Sequence, residues 1–468
     1  MGDKDTIAAI STPRGEGGIG IIRISGPEAI YIAERLFVSP KGRKLSQAPA
    51  RSLSYGFVTD PENGAQVDEA LVCVMRAPNT YTRQDVVEIN CHGGMLAVKR
   101  TLELVVRLGA RPALPGEFTK RAFINGRIDL AQAEAVLEII RAKSAREEKA
   151  ALQRLKGGLS SKINAYKEVI AGALAYLEAL IDFPEEMAEA DGENPQITGN
   201  LKNALTGIQG LSATYDEGRI LHDGLRTVIA GRPNVGKSSL LNALLEEDRA
   251  IVAELPGTTR DTLSEFASIG GFAIRLTDTA GIRDSADPAE SEGVKRSLKA
   301  LDEADLVICV MDGSAPLSAQ DIEVLGKASS AGKMIITAAN KADLPQVWSD
   351  GDILHAAHGG KNVPVVRISA KTGLGLPALK AIMAEALSQR AGTETEGEIV
   401  ITGVRHKSAL DRAAASLEKA AGLIENREPA EIAALELREA LDALGEITGE
   451  MTTEDVLDRI FSQFCIGK

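Results

Sequence analysis

Residues 225–239 read LRTVIAGRPNVGKSS: an apolar β-branched run, a glycine-bounded loop, then a lysine and two serines that open the helical stretch SSLLNALL. Gly231, Gly236, Lys237 and Ser238 satisfy GxxxxGK[ST] directly after a strand and before a helix, the context that gives this pattern its meaning. Glycine is needed because backbone N–H groups must turn inward around an anion, and a Cβ would obstruct that approach. Lys237 then offers a cation to the β and γ phosphates of a nucleotide and Ser238 a hydroxyl to Mg²⁺. Asn234, Val235 and Ser239 complete the nucleotide contacts of this loop.

Further along, FAIRLTDTAG, LVICVMDG, KMIITAANKAD and VPVVRISAKTG alternate with helix-like stretches as far as residue 384. This alternation predicts βα units on a mostly parallel sheet, with the ligand at the carboxyl ends of the strands. Asp278-Thr279-Ala280-Gly281 ends one strand, bringing a carboxylate near Mg²⁺ and a glycine N–H near the γ-phosphate. Asn340-Lys341-Ala342-Asp343 ends another. Its carboxylate accepts two hydrogen bonds from the N1–H and N2 amino group of guanine, and adenine has no matching donor pair. Ser369-Ala370-Lys371 completes the base pocket with a backbone N–H for guanine O6. Four such loops in this order select GTP over ATP.

Two departures from the Ras-like pattern carry information. Ile282 follows DTAG where a water-orienting glutamine is expected, and it makes no hydrogen bond. The attacking water must be held by another residue, and Asp284, Asp287, Glu290 and Glu292 all lie in the next segment; chemistry alone does not choose among them. Asn234 is the second departure. Its amide oxygen either coordinates a monovalent cation that offsets charge developing between the β and γ phosphates, or caps the turn. Thr259, in Gly257-Thr258-Thr259-Arg260-Asp261, is the expected second Mg²⁺ ligand.

Composition sets the frame. At ~150 residues per domain the 468 residues make about three domains. Aromatics are only 3% of the chain, so Ala, Leu, Ile and Val must fill the cores. The net charge of -13 repels a phosphate backbone, and residues 386–468 carry -7 of it, against +2 for residues 1–120. Four scattered cysteines point to a reducing compartment, and neither a signal-peptide layout nor a long apolar run occurs. The expectation is a cytoplasmic protein with no membrane segment. Gly15, Gly17 and Gly20 match GxGxxG, but IIRIS follows rather than a helix, so a hairpin turn is predicted. Cys465 and His92 lack the neighbours that a nucleophile or a metal site needs. No proline occurs between Gly116 and Phe183, and Leu130, Ala133, Leu137, Ile140, Leu152, Leu155, Leu159 and Ile163 recur at helical spacing. Long amphipathic helices with this stripe in the core are predicted. The domain plan is 1–120, then a helical domain in two pieces, 121–218 and 385–468, with an α/β domain at 219–384 inserted between them.

GRPNVGKSS with GTTRD, DTAGIR, NKAD and SAK resembles the TrmE-Era-EngA group of GTPases. TIAAISTPRGEGGIGIIRISG (6–26), PGEFTKRAFINGRIDLAQAEAV (115–136), IDFPEE (181–186), LGEITGE (444–450) and DVLDRIFSQFCIGK (455–468) look like the MnmE (TrmE) family of tRNA-modification GTPases within it. The resemblance implies a multidomain fold: an N-terminal α/β folate-binding and dimerisation domain, a mostly α-helical central domain ending in the FCIGK tail, and an inserted α/β P-loop GTPase domain. By the same resemblance Glu290 orients the water, with Arg283 and Lys237 as its catalytic companions. K⁺ is held by Asn234, the backbones of Ala253 and Leu255, and Thr258 when two GTPase domains meet, and Mg²⁺ by Ser238 and Thr259. Arg23, Glu88, Arg127 and Lys468 bind 5-formyltetrahydrofolate, the one-carbon source. The partners implied are a second copy through the N-terminal domain, the FAD-binding protein MnmG in a heterotetramer, and tRNA. The chemistry implied is addition of an aminomethyl or carboxymethylaminomethyl group to C5 of the wobble uridine, U34. The rival, a ribosome-assembly GTPase of the Era or EngA kind, calls for a basic RNA-binding module, and the C-terminal segment is acidic.

Overall fold

A computed structural model describes residues 5–13, 15–183, 195–248, 264–278, 301–330, 333–356, 363–390 and 399–468. The chain divides into two compact units, residues 1–137 with 445–468, and residues 138–444.

The first unit is built on seven strands: β1 (Ile7–Ile10), β2 (Ile19–Ser25), β3 (Phe37–Val38), β4 (Leu53–Thr59), β5 (Gln66–Met75), β6 (Val86–His92) and β7 (Arg111–Pro112). Their order across the sheet is β3-β4-β5-β6-β2-β1-β7. The GxGxxG stretch joins β1 to β2 as an antiparallel pair, as its sequence context predicts. Period-two alternation puts Ile22, Ile24, Val58, Val72, Val74 and Ile89 on one face of the sheet, buried beneath helices Ala29–Leu36 and Met95–Arg107. The opposite face carries cross-strand rows. Pairing of Leu53 with Cys73, Cys73 with Glu88 and Glu88 with Arg23 makes one row; Tyr55, Leu71, Asn90 and Ile21 make the next.

Behind β7, helix Glu117–Ile124 is anchored by charge. The buried guanidinium of Arg121 meets Asp5 Oδ1 at 2.6 Å and Glu117 Oε1 at 3.0 Å. Burial pushes the Glu117 carboxyl up, but hydrogen bonds from Arg111, the Leu114 N–H and Arg121 outweigh it and hold the group below its ordinary value. Helix Glu454–Phe461 then returns the far end of the chain to this unit, where Phe461 and Phe464 pack on Leu130 and Ala133. Gly116, at φ 66°, stands where a Cβ would lie 2.6 Å from the Phe461 carbonyl oxygen, so this crossing requires glycine.

In the second unit helix Ala145–Leu155 packs on Gly158–Asp182, which packs on Pro195–Ala213, and that helix in turn packs on Val404–Glu425, where the chain returns. The leucine stripe is not one continuous core face. Ile140 is 40% and Leu152 39% exposed, whereas Leu159 and Ile163 are fully buried. Two breaks shift the helical phase: Ser144 caps a new helix by accepting the Glu147 N–H, and Gly157 turns left-handed at φ 86°. Where the chain passes into the α/β segment and back, the Ile401 N–H donates to Thr214 Oγ1 at 3.0 Å. The six-stranded sheet comprises β8 (Leu225–Ala230), β9 (Ser264–Ile269), β10 (Phe272–Asp278), β11 (Leu306–Asp312), β12 (Met334–Asn340) and β13 (Val365–Arg367), in the order β13-β12-β11-β8-β10-β9. Five strands run parallel, at the five runs read from the sequence. β9 is an addition, an antiparallel edge strand joined to β10 by Gly270-Gly271, both left-handed. Among the described residues no helix is long and apolar enough to cross a membrane.

Candidate functional site

β8 lies between β11 and β10, so the sheet order reverses at its carboxyl end, the place where open α/β sheets bind ligands. The phosphate loop leaves from that end and runs into helix Lys237–Asp248. Gly236 has φ 99° and Asn234, a non-glycine residue, φ 63°. A Cβ on Gly231 would strike the Val310 carbonyl oxygen, and one on Gly236 the Asn340 amide nitrogen. Lys237 is only 8% exposed, and its ammonium donates to the Arg232 carbonyl at 2.9 Å. A cation is thereby held within the loop, at the start of a helix whose N-terminal dipole favours an anion.

Asn340, at the end of β12, ties this loop to the next. Its side-chain nitrogen donates to the Val235 carbonyl at 2.7 Å, and its side-chain oxygen accepts the Ala370 N–H at 2.9 Å. Of the N–H groups in the Ser369-Ala370-Lys371 tripeptide, that of Ala370 is therefore given to Asn340. Asp343 is exposed one turn further on. The hydroxyl of the buried Ser369, its own backbone N–H, and the charges of Lys371 and Lys341 hold its carboxyl below the usual range. It stands ionised, an acceptor-only group facing solvent. Lys341 is at φ 63°, with its ammonium 2.6 Å from Asp312 Oδ2. Burial raises the Asp312 carboxyl, but the bonds from Lys341 and Ser314 outweigh this and lower it. Asp312, at the end of β11, was not singled out from the sequence, because its partner lies 29 residues away in the loop after β12.

The backbone of Asp278 pairs in register with Ile229 of β8, which brings the end of β10 level with the phosphate loop. Ala253, Leu255, Thr258, Thr259, Thr279, Ala280, Gly281, Arg283 and Glu290 lie outside the described residues, as do the alternatives Asp284, Asp287 and Glu292.

The first unit gathers four residues that are scattered in the sequence. Arg23 and Glu88 are directly paired across β2 and β6, with Nε 2.9 Å from Oε1. The Arg23 guanidinium also donates to the Gly467 carbonyl at 3.2 Å, and lies 5.9 Å from the Tyr81 ring centre and 5.7 Å from that of Phe118. Arg127 stacks 4.6 Å from the same Tyr81 ring. Lys468 is half-buried nearby; burial, with the positive charge of Arg23, lowers its ammonium below the ordinary lysine value. Three basic side chains, a carboxylate and an aromatic wall suit a flat, anionic ligand that carries ring N–H donors. Tyr81 and Phe118 were missed from the sequence, where a lone aromatic looks like core.

A mostly parallel sheet whose strand ends carry a GxxxxGKS loop, an asparagine clamp and an ionised carboxylate in NKAD defines a P-loop GTPase domain. The family model described as the GTP-binding protein TrmE N-terminus matches residues 6–127, and that described as the MnmE helical domain matches residues 130–465. The chain is 50% identical over 464 residues to the tRNA modification GTPase MnmE of Moorella thermoacetica, covering 99% of each. To the tRNA modification GTPase MnmE of Thermoanaerobacter pseudethanolicus it is 46% identical over 464 residues, again 99% of each. To that of Geobacillus thermodenitrificans it is 45% identical over 471 residues, 100% of each. Among solved structures, the G domain of the T. maritima FeoB iron transporter is 31% identical over 36% of this chain and 99% of that one, at a TM-score of 0.27. The chain belongs to the MnmE family and is a GTP hydrolase.

Proposed function

We propose that this chain hydrolyses GTP to drive modification of tRNA at U34, adding an aminomethyl or carboxymethylaminomethyl group to C5 together with an FAD-binding MnmG partner. The observation that carries the GTP half is the Asn340 clamp, which makes the phosphate loop and the base loops one hydrogen-bonded unit. In this reading Lys237 meets the β and γ phosphates and Asp343 reads guanine. Ser238 and Thr259 hold Mg²⁺, whose charge offsets that of the phosphates. Asn234, Thr258 and the backbones of Ala253 and Leu255 hold K⁺. The left-handed backbone at Asn234 fits that assignment, since a residue there is fixed by the loop and not by a helix. Glu290 orients the water and Arg283 assists.

The domain plan of the sequence serves this reading. The Thr214–Ile401 bond supports an insertion at 219–384 whose ends lie close together. Leu53, Tyr55 and Leu71, exposed on the open sheet face, support dimerisation through the N-terminal domain. Arg23, Glu88, Arg127 and Lys468 would hold a formyltetrahydrofolate, which supplies a carbon unit. Glu88 accepts from the pterin N–H groups and the cations take the glutamyl carboxylates.

Two measurements test the proposal. GTP hydrolysis in KCl should exceed that in NaCl by about tenfold or more, because a monovalent cation placed at developing charge acts on the rate itself. Equal rates in the two salts would remove K⁺ from the reading, and negligible rates in both would favour a nucleotide-dependent scaffold. Calorimetric titration with 5-formyltetrahydrofolate should give saturable binding that Glu88→Gln weakens by roughly tenfold or more, the scale of a lost charge-assisted hydrogen bond. Undiminished affinity in that variant would remove Glu88 from the site.

A further inference from the structure

The phosphate loop is held from outside. Asp321 sits in the first turn of helix Ala319–Ser330, which follows β11, and it is only 2% exposed. Its Oδ2 accepts the Ser318 N–H at 3.0 Å and the Ser318 hydroxyl at 2.7 Å, capping the helix. The same oxygen lies 3.4 Å from Nε of Arg232, the loop residue directly after Gly231. Asp321 Oδ1 and Arg232 Nε are both buried with no hydrogen-bond partner. A helix cap alone does not call for a buried carboxylate aimed at a guanidinium, and such a group is costly unless charge compensates it. Arg232 is also the residue whose carbonyl receives the Lys237 ammonium.

We propose that Asp321 is a positioning residue for the phosphate-binding lysine: by pairing with Arg232 it fixes the loop carbonyl that aims the Lys237 ammonium. This rests on the reading of Lys237 as the phosphate contact. The loop runs through left-handed backbone at Asn234, a conformation that a non-glycine residue keeps only where its surroundings over-determine it. Asp321 supplies one such restraint. Because Asp321 acts through Lys237, which meets both the β and the γ phosphate, its loss weakens nucleotide binding and slows the chemical step as well.

The test uses the full chain. Asp321→Asn keeps an acceptor for the helix cap but removes the charge; it should raise the KM for GTP and the Kd for GDP by about tenfold and lower kcat as well. Ser318→Ala weakens the cap and spares the ion pair, so it should lower thermal stability and leave KM and the GDP Kd unchanged. Arg232→Met should reproduce the Asp321→Asn effect, and the double variant should be no worse than either single, as coupled groups require. Unchanged KM and GDP affinity in Asp321→Asn, with a stability loss matching Ser318→Ala, would overturn the proposal. Should Asp321→Asn fail to fold, Arg232→Met decides: unaltered nucleotide affinity there overturns it as well. Lys237→Ala separates the two levels. If that variant kept full GTP affinity, the reading of the loop would fail; if it lost affinity while Asp321→Asn did not, only the positioning role would.

Discussion

Replacing Asp343 with asparagine is expected to lower GTP affinity by about 10³-fold and to create affinity for xanthosine triphosphate. The carboxylate is held ionised by the Ser369 hydroxyl, its own backbone N–H and two lysines, so both oxygens are ready acceptors. Guanine presents two donors, N1–H and the N2 amino group. An asparagine in the same place turns one acceptor into a donor that faces a donor, and a site built around such pairs rejects a mismatched partner by orders of magnitude. Xanthine has a carbonyl at C2, which accepts the bond that the asparagine amide offers. Calorimetric titration with both nucleotides reads the exchange directly. Retained GTP affinity would show that the base is recognised elsewhere.

Gly236→Ala comes next in size: about a hundredfold or greater loss of affinity for GTP and GDP alike. The new methyl group would occupy the place of the Asn340 side-chain nitrogen, at a backbone φ of 99° that an L side chain rarely adopts. Asn340 is 4% exposed and already committed in two directions, so it has little room to yield. Either the loop leaves its left-handed geometry or the asparagine lets go of Val235 and Ala370, and in both cases the anion cradle opens. Affinities of the variant for GDP and for guanosine, compared by calorimetry, separate these outcomes. A variant that binds GDP as wild type does would show that the loop tolerates a Cβ after all.

The phosphate loop, NKAD and SAK were legible because each is local: its residue types, its spacing and the strand before it lie within a dozen positions. Five parallel strands were legible for the same reason. β9 was not, although Gly270-Gly271 is a hairpin signal, because SEFASI is short and half polar. The helix break before Ala145 was also present in the sequence. Ser144 and Glu147 have the spacing of a capping box, and Glu147 reaches back to the Lys143 N–H at 2.7 Å. What no local pattern gives is register across the fold. Arg23 and Glu88 lie 65 residues apart and meet through strand pairing, so the sequence offered them only through family resemblance. The partners that single out Asp312, Tyr81 and Asp321, namely Lys341, Arg23 with Arg127, and Arg232, all lie far off in sequence.

The bond from Arg23 to the Gly467 carbonyl spans 444 positions of the chain. Ribosomes add roughly 5–20 residues each second, so Arg23 emerges some 20 to 90 seconds before the carbonyl it bonds. For most of that interval Leu130 and Ala133 await Phe461 and Phe464, and the nascent protein presents an unfinished apolar seam to whatever chaperones stand at the tunnel exit.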